Sequence, residues 1–258
     1  MSREKAKSLY EDRTWPGLEI CPSYNPLFPK KEGYNVKVAD RLDRSDLLRR
    51  YDGHGVDTSA IEDVDLVWEN NDLNSIMKVD VDYRIIAVHR MLEHMPDPIS
   101  FLKYCEKAMS KDGRLIIMIP DKRYCFDCLR STTSLGQLID AYHERRDKPS
   151  RGAVAEHHMM AVKRNGLIAW DNTEQAVYNY NMCHSVESVV GSINRYGEDE
   201  FDVHSWVFTP RVLHSIINDL NLLGYIRLNV LHMIPTLGHE FFAVLAKDVP
   251  ARSRESFA

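Results

Sequence analysis

The chain of 258 residues lacks any long apolar run, any repeat and any large excess of charge. No stretch reaches the roughly 18 consecutive apolar residues that a membrane-spanning helix needs, so no transmembrane segment is predicted. Met1–Lys5 lead into no apolar signal segment, which predicts a cytoplasmic protein. The net charge of −5 argues against a general nucleic-acid binder.

Cysteine is also scarce, with five residues in the whole chain. Cys125 and Cys128 have the spacing of metal ligands, but no second pair exists to complete a tetrahedral zinc site. We therefore interpret the cysteines as reduced thiols and predict no bound metal ion. A site built from His and Asp stays open as an alternative, although no ligand spacing demands one.

The most informative pattern lies between residues 83 and 119. The apolar run Tyr83–Val88 predicts a buried strand that ends in a turn rich in His and Glu. Asp97 and Pro98 then suit the N-cap and the first position of a helix, and a second buried strand, Arg114–Ile119, follows. In open α/β sheets the carboxyl ends of strands form the edge where ligands bind, so this polar turn is a candidate site.

The remaining periodicity predicts an α/β sheet that closes with a hairpin. Thr209 and Pro210 begin a helix that Gly224 ends, and two apolar runs follow it. Because the connection between these runs is short and contains Gly238, they are predicted to pair antiparallel. The predicted strands are Gly17–Ile20, Tyr34–Ala39, Val64–Trp68, Tyr83–Val88, Arg114–Ile119, Ile226–Ile234 and Glu240–Lys247, with a short helix from Ser45 to Tyr51.

Between the fifth and sixth predicted strands the pattern loosens. Residues 121–203 contain one periodic helix, near Leu135–Tyr142, among polar stretches. Because long segments in compact domains are usually functional, we predict an insertion that packs over the carboxyl edge of the sheet as a lid or substrate platform. The predicted layout is a flexible segment 1–15, a single domain 16–248 that carries this insertion, and a disordered tail 249–258.

Two motifs carry a resemblance to a known family. The run His89-Arg90-Met91-Leu92-Glu93-His94-Met95-Pro96-Asp97-Pro98 resembles the core of class I S-adenosylmethionine-dependent methyltransferases, which often have His-Val-Leu-Glu-His-x-x-Asp-Pro there. Segments 120–130 and 202–210 are similar to methyltransferase-domain proteins found among bacterial surface-polysaccharide genes. The resemblance implies a Rossmann-like methyltransferase sheet with a C-terminal antiparallel hairpin, S-adenosylmethionine as cofactor, and a sugar or glycan as acceptor.

The resemblance also implies a cofactor site at the ends of the first strands. Cys21 and Ser23 stand where members carry glycine, which permits close backbone approach. Asp40 is placed to accept hydrogen bonds from both ribose hydroxyls, Asp72 to face the adenine amino group, and His89 to face the cofactor. For each of these three a plain structural or surface role is the alternative. The cofactor-binding candidates are Glu19, Cys21, Asp40, Asp72 and His89.

Chemistry at a sugar hydroxyl needs a base or a metal ion, because the neutral hydroxyl is a poor nucleophile. His94 follows the fourth predicted strand, at the place that the resemblance puts near the transferred methyl group, and Asp121 follows the fifth. His/acid clusters at 156–158 and 202–206 bracket the insertion, and in an extended segment Asp202, His204 and Trp206 share one face. The catalytic candidates are His94, Asp121, His158 and His204, and the substrate-binding candidates are Tyr124, Arg130 and Trp206.

Three functions stay open on the sequence alone. Methyl transfer to an oxygen atom of a sugar-containing or other small acceptor is the leading hypothesis. A non-catalytic binding or scaffold protein that has lost the cofactor is the second, and the missing glycines favour it. A lyase or hydrolase that uses the His/Asp clusters is the third. The dense set of titratable residues at the expected active edge argues against the second.

Overall fold

The computed structural model describes residues 2–68, 82–172 and 179–249. Within these ranges a seven-stranded sheet and a separate two-stranded ribbon form the β-structure. The strands are β1 (Gly17–Ile20), β2 (Val36–Asp40), β3 (Leu66–Val67), β4 (Tyr83–His89), β5 (Met109–Pro120), β6 (Val162–Arg164), β7 (Tyr180–Met182), β8 (Leu228–Leu237) and β9 (Glu240–Lys247).

The strand order of the main sheet is β3-β2-β1-β4-β5-β9-β8. Strands β1 to β5 pair in parallel, whereas β9 runs antiparallel to both β5 and β8. The predicted Rossmann-like sheet with a C-terminal antiparallel hairpin is thereby confirmed. The strand order reverses between β1 and β4, and ligands of open α/β sheets bind at such a switch point, beyond the carboxyl ends of the strands.

Helices begin where the sequence offers caps. The Asp97 side chain accepts a hydrogen bond from the Ser100 N–H at 3.0 Å, and Thr209 caps the last helix in the same way. Asp43, and not Ser45, caps the helix after β2. The helices are α1 (Ser2–Lys7), α2 (Arg44–Tyr51), α3 (Pro98–Ala108), α4 (Leu135–Glu144), α5 (Arg151–Met160), α6 (Val186–Asn194) and α7 (Pro210–Leu222).

The core lies on both faces of the sheet, because alternate side chains of each strand point to opposite sides. Ile86 and Val88 pack with α3 and α7 on one face, and Ile85 and Ala87 contribute to a smaller cluster on the other. The amino-terminal segment joins that smaller cluster, since Tyr10 is 3% exposed within it. Ala6 and Tyr10 thus anchor the amino-terminal segment, whereas residues 11–14 are exposed, and the flexibility expected for residues 1–15 stays a prediction.

The segment between β5 and α7 contains more regular structure than one periodic helix. It contains α4, α5, α6 and the β6–β7 ribbon. Residues 202–206 form no regular strand, although an isolated bridge joins Phe208 to Asp121. Among the described residues, no helix combines the length and apolar character that crossing a bilayer requires.

Candidate active site

A cleft of about 1520 Å³ opens at the carboxyl edge of the sheet. Its floor consists of residues that follow β2, β3 and β4, among them Arg41, Trp68 and Met91. Its outer wall comes from the insertion, through parts of 142–149 and 196–203. Pockets for one small molecule usually measure about 300–1,000 Å³, so this cleft has room for two ligands side by side.

The turn after β1 keeps a left-handed backbone without glycine. Cys21 has φ of 53° and Ser23 has φ of 51°, at the two positions where the resemblance calls for glycine. The Cys21 N–H donates to the Ala39 carbonyl at 2.8 Å, and its sulfur lies 3.8 Å from that of Met91, across the switch point. Left-handed backbone costs an ordinary residue about 1–2 kcal/mol, and such strain is typical of functional turns.

Asp40, the last residue of β2, is a buried carboxylate that is incompletely satisfied. It is 5% exposed, and its Oδ1 accepts the Arg41 N–H at 2.7 Å. Burial raises the pKa of Asp40, although the backbone N–H groups of Arg41, Leu42 and Ser23 act in the opposite direction. Its Oδ2 completes no hydrogen bond within the described ranges. A buried acceptor of this kind fits a ligand that brings a pair of hydroxyl donors, as a ribose does.

Glu19 and His89, two further cofactor candidates, face each other below the cleft. The Nε2 atom of His89 lies 2.6 Å from Oε1 of Glu19, and both residues are buried. The Glu19 carboxylate also accepts the N–H groups of Leu27 and Phe28. These two residues therefore hold the proline-rich loop that follows β1. Like Asp40 and Cys21, they do not line the cleft directly, whereas Arg41, next to Asp40, does. Asp72, the remaining candidate, lies outside the described residues.

His94 is the one predicted catalytic residue that lines the cleft. Its Nδ1 lies 2.9 Å from Oδ1 of Asp202, which belongs to the insertion. Burial on its own lowers the pKa of His94, but the Asp202 and Glu93 carboxylates outweigh it and raise that pKa. The same ion pair lowers the pKa of Asp202 to about 2. This pair ties the end of the insertion to the turn after β4.

His204 and Glu93 lie behind His94. The rings of His94 and His204 are 4.7 Å apart at their centroids, and His204 Nδ1 lies 2.5 Å from Oδ2 of Asp127. Glu93 is 1% exposed, and neither of its carboxylate oxygens has a hydrogen-bond partner in the described part of the chain. Burial raises the pKa of Glu93. Glu93 and Asp127 were missed as site residues, although the alternation of Glu and His after β4 was a signal for Glu93.

Two other predicted site residues, Arg130 and Asp121, are buried away from the cleft. Arg130 donates to Asp127 at 2.9 Å and to the His204 carbonyl at 2.7 Å, so its guanidinium holds this cluster and is not free for substrate. Asp121 is 0% exposed and accepts hydrogen bonds from Arg123 and Thr236, and it thereby links the end of β5 to the hairpin. These positions differ from the catalytic role expected for Asp121 and the binding role expected for Arg130.

Trp206, Tyr124 and His158 also lie outside the cleft lining. The Trp206 indole N–H donates to the Met95 carbonyl at 2.5 Å, which makes this side chain a buried structural anchor. Tyr124 is half-buried with the Arg123 guanidinium 5.2 Å from its ring centroid. The ring of His158 lies 4.8 Å from that of His184. The common face expected for Asp202, His204 and Trp206 depended on an extended strand, and residues 202–206 are assigned no strand.

No protein-family model and no curated protein match this sequence. Solved structures do align with it, among them the CcbJ methyltransferase from Streptomyces caelestis, with TM-score 0.48, 9% identity, and 96% of this chain and 90% of that chain covered. An S-adenosylmethionine-dependent methyltransferase from Clostridium acetobutylicum aligns with TM-score 0.47 and 7% identity, and the alignment covers 95% of this chain and 89% of that chain. The mitomycin 7-O-methyltransferase MmcR has TM-score 0.43 and 8% identity, covering 95% of this chain but 53% of its own, so this chain spans about half its length. Likenesses of this degree carry no argument about activity, which must come from the residues of the site.

Proposed function

We propose that this chain is an S-adenosylmethionine-dependent methyltransferase that acts on an oxygen atom of a sugar-containing or other small acceptor. The observation that carries the proposal is the buried Asp40 carboxylate, whose Oδ2 completes no hydrogen bond with a described residue. A buried, incompletely paired carboxylate destabilises a fold. A scaffold protein that had lost its nucleoside ligand would have no reason to keep it, and this favours an enzyme over the scaffold alternative.

The residues around Asp40 fit the cofactor. Asp40 would accept hydrogen bonds from the two ribose hydroxyls, and the left-handed Cys21–Ser23 turn brings backbone close to the same place. Trp68 and Met91 line the neighbouring part of the cleft and offer apolar surface to a nucleoside. When bound, S-adenosylmethionine supplies a methyl carbon whose bond to sulfur breaks, with the electron pair left on sulfur, as a bond to the acceptor oxygen forms.

The acceptor side of the cleft is polar and is built largely by the insertion. His94 lies between the two sides, and because its Nδ1 faces Asp202 in an ion pair, Nε2 is the atom that would face an acceptor hydroxyl. A histidine with a raised pKa is a strong base once it is neutral, which suits removal of the hydroxyl proton. The sugar class itself rests on the resemblance of segments 120–130 and 202–210. Cationic side chains along the cleft suited to oxygen-rich ligands are Arg41, Arg50, Arg145, Arg146 and Lys148.

The test is calorimetric titration of the purified protein with S-adenosylmethionine and with its demethylated product. We expect binding, and we expect Asp40→Asn to weaken it about 10- to 100-fold, because hydrogen bonds to a charged group contribute about 1.5–3 kcal/mol. Asp52→Asn is the matched control, since Asp52 is exposed just after α2 and should leave the affinity unchanged. Absence of binding at millimolar ligand, or equal affinity in the two variants, would overturn the proposal. Methyl transfer to a panel of sugar acceptors then tests the acceptor class.

A further inference from the structure

We infer that Glu93, His94 and His204 form a binding site for a divalent transition-metal cation at the acceptor side of the cleft. One ligand atom from each residue lies within 4.8 Å of the others, in the part of the chain that is described. Two imidazoles and one carboxylate form a ligand set that suits Zn²⁺ and other first-row divalent ions better than the oxygen-seeking Mg²⁺ and Ca²⁺. The sequence predicted no metal site, because these ligands share no recognisable spacing.

Both histidines are held in the way that metal-binding histidines usually are. The Nδ1 atom of His94 lies 2.9 Å from an Asp202 oxygen, and that of His204 lies 2.5 Å from an Asp127 oxygen. The Asp202 contact is an ion pair without hydrogen-bond geometry, whereas the Asp127 contact is a hydrogen bond, and in both rings Nε2 is the nitrogen away from the carboxylate. A carboxylate on the far nitrogen fixes the tautomer and orientation of a ligand histidine and makes it a better donor. Asp127 is fixed in turn by Arg130 at 2.9 Å.

Glu93 supplies a second, independent observation. Its side chain is 1% exposed, and both carboxylate oxygens lack a hydrogen-bond partner within the described ranges. Placing an isolated charge in a protein interior costs several kcal/mol unless a partner compensates it. Asp121, Asp127 and Glu19, by contrast, are equally buried but each accepts hydrogen bonds from named donors. His94, His204 and Arg90 lie close enough to act on this carboxylate electrostatically, but a cation bound between Glu93 and the two histidines would supply the direct partner that both oxygens lack.

The position of the three side chains gives the cation access to substrate. Bonds of about 2.0–2.1 Å set neighbouring ligand atoms roughly 3 Å apart, so the side chains close by one or two ångströms as they bind. Glu93 and His204 close the buried side, whereas His94 lines the cleft, so the remaining coordination positions face the cavity. Three protein ligands and an open position are typical of catalytic sites, while structural sites are closed by four.

This site deepens the proposed function and rests on it for its role, although not for metal binding. An acceptor hydroxyl that contacts the cation becomes more acidic, as metal-bound water does. His94 then serves as a ligand and not as the proton acceptor, and the hydroxyl proton leaves to water in the cleft. Because His204 directly follows the insertion and Glu93 lies in the turn after β4, the cation would also fix the end of the insertion against the sheet.

The experiment uses the full chain, treated with a chelator and then titrated with Zn²⁺, Mn²⁺ or Co²⁺ without any methyl donor. We expect one ion per chain, a rise in melting temperature, and visible absorption from bound Co²⁺ that reports nitrogen ligands. Glu93→Gln should weaken binding at least 10-fold, and Asp127→Asn about 10- to 100-fold, as for other residues that orient a ligand histidine. Circular dichroism checks that each variant is folded.

His184→Asn is the matched control, because His158 and His184 form a second close pair of imidazoles that could capture ions at the surface. Loss of binding in His184→Asn with retention in Glu93→Gln would overturn the inference, as would absence of binding in the parent chain. Titration of the same chelated protein with S-adenosylmethionine separates the two proposals. Cofactor binding without metal binding would refute only the proposed cation site, whereas metal binding without cofactor binding would refute only the proposed methyltransferase function.

Discussion

The left-handed turn after β1 leads us to predict how substitutions of Ser23 change the stability of the protein. Its φ of 51° costs an ordinary residue about 1–2 kcal/mol relative to glycine. Replacement by glycine relieves this cost, but the greater conformational freedom of glycine in the unfolded chain offsets about 0.5–1 kcal/mol of the stabilisation. Ser23→Gly should therefore stabilise the protein by about 0.5–1 kcal/mol, which raises the melting temperature of a chain of this size by roughly 1–4 °C. Ser23→Val should do the opposite, since a branched side chain tolerates this backbone least.

The assay is thermal unfolding with Lys37→Gly as the control. Lys37 is exposed inside β2, and its φ is not positive. Glycine there should destabilise by about 0.5–1 kcal/mol, as in any strand interior. The two glycine substitutions should therefore change the melting temperature in opposite directions. If Ser23→Gly lowers it as much as Lys37→Gly does, the turn does not have a strained backbone, and the argument that the fold keeps a glycine-type turn fails.

Two further predictions concern buried polar groups. Asp40→Asn should stabilise the ligand-free protein, because burial holds the folded-state pKa of Asp40 above its ordinary 3.8. The gain in unfolding free energy should be absent below about pH 4, should grow as pH rises through the folded-state pKa, and should be complete above it. Urea unfolding at about pH 3.5 and pH 7 measures this gain, and an equal gain at both would contradict the reasoning. Trp206→Phe should destabilise by at least about 1–3 kcal/mol, because it leaves the Met95 carbonyl buried without its donor, and should leave S-adenosylmethionine affinity unchanged. A fall in affinity without a fall in melting temperature would instead place Trp206 in the site.

Local signals in the sequence predicted the parts of this fold that depend on neighbouring residues. Asp97 and Pro98 begin α3 as expected, because an N-cap acts on the first turn of its own helix. The short connection through Gly238 similarly fixed the antiparallel hairpin. The cap of α2 was misplaced by two residues, since Asp43 and Ser45 are both capping residues and only the chain path decides between them.

The site was less predictable because it depends on contacts between distant segments. The pairing of His94 with Asp202 joins the insertion to the turn after β4, and the pairing of His204 with Asp127 joins the start of the insertion to the residue that follows its end. No periodicity reports such contacts. Burial is equally hard to predict from the sequence. Arginine as a residue type is a plausible anion binder, but the Arg130 guanidinium is buried and donates to Asp127 and to the His204 carbonyl.

The division of the site between sheet and insertion has a consequence for specificity. Under the proposed function the cofactor half would use the strand ends around Asp40 and Cys21, where β1 and β2 pair in parallel. The acceptor half would use residues 142–149 and 196–203, which lie outside the main sheet. Substitutions in those segments can therefore change the acceptor without disturbing the ribose contact, except at Asp202, which also positions His94. Acceptor choice and catalytic geometry are separable along most of the cleft wall, and they are coupled at that ion pair.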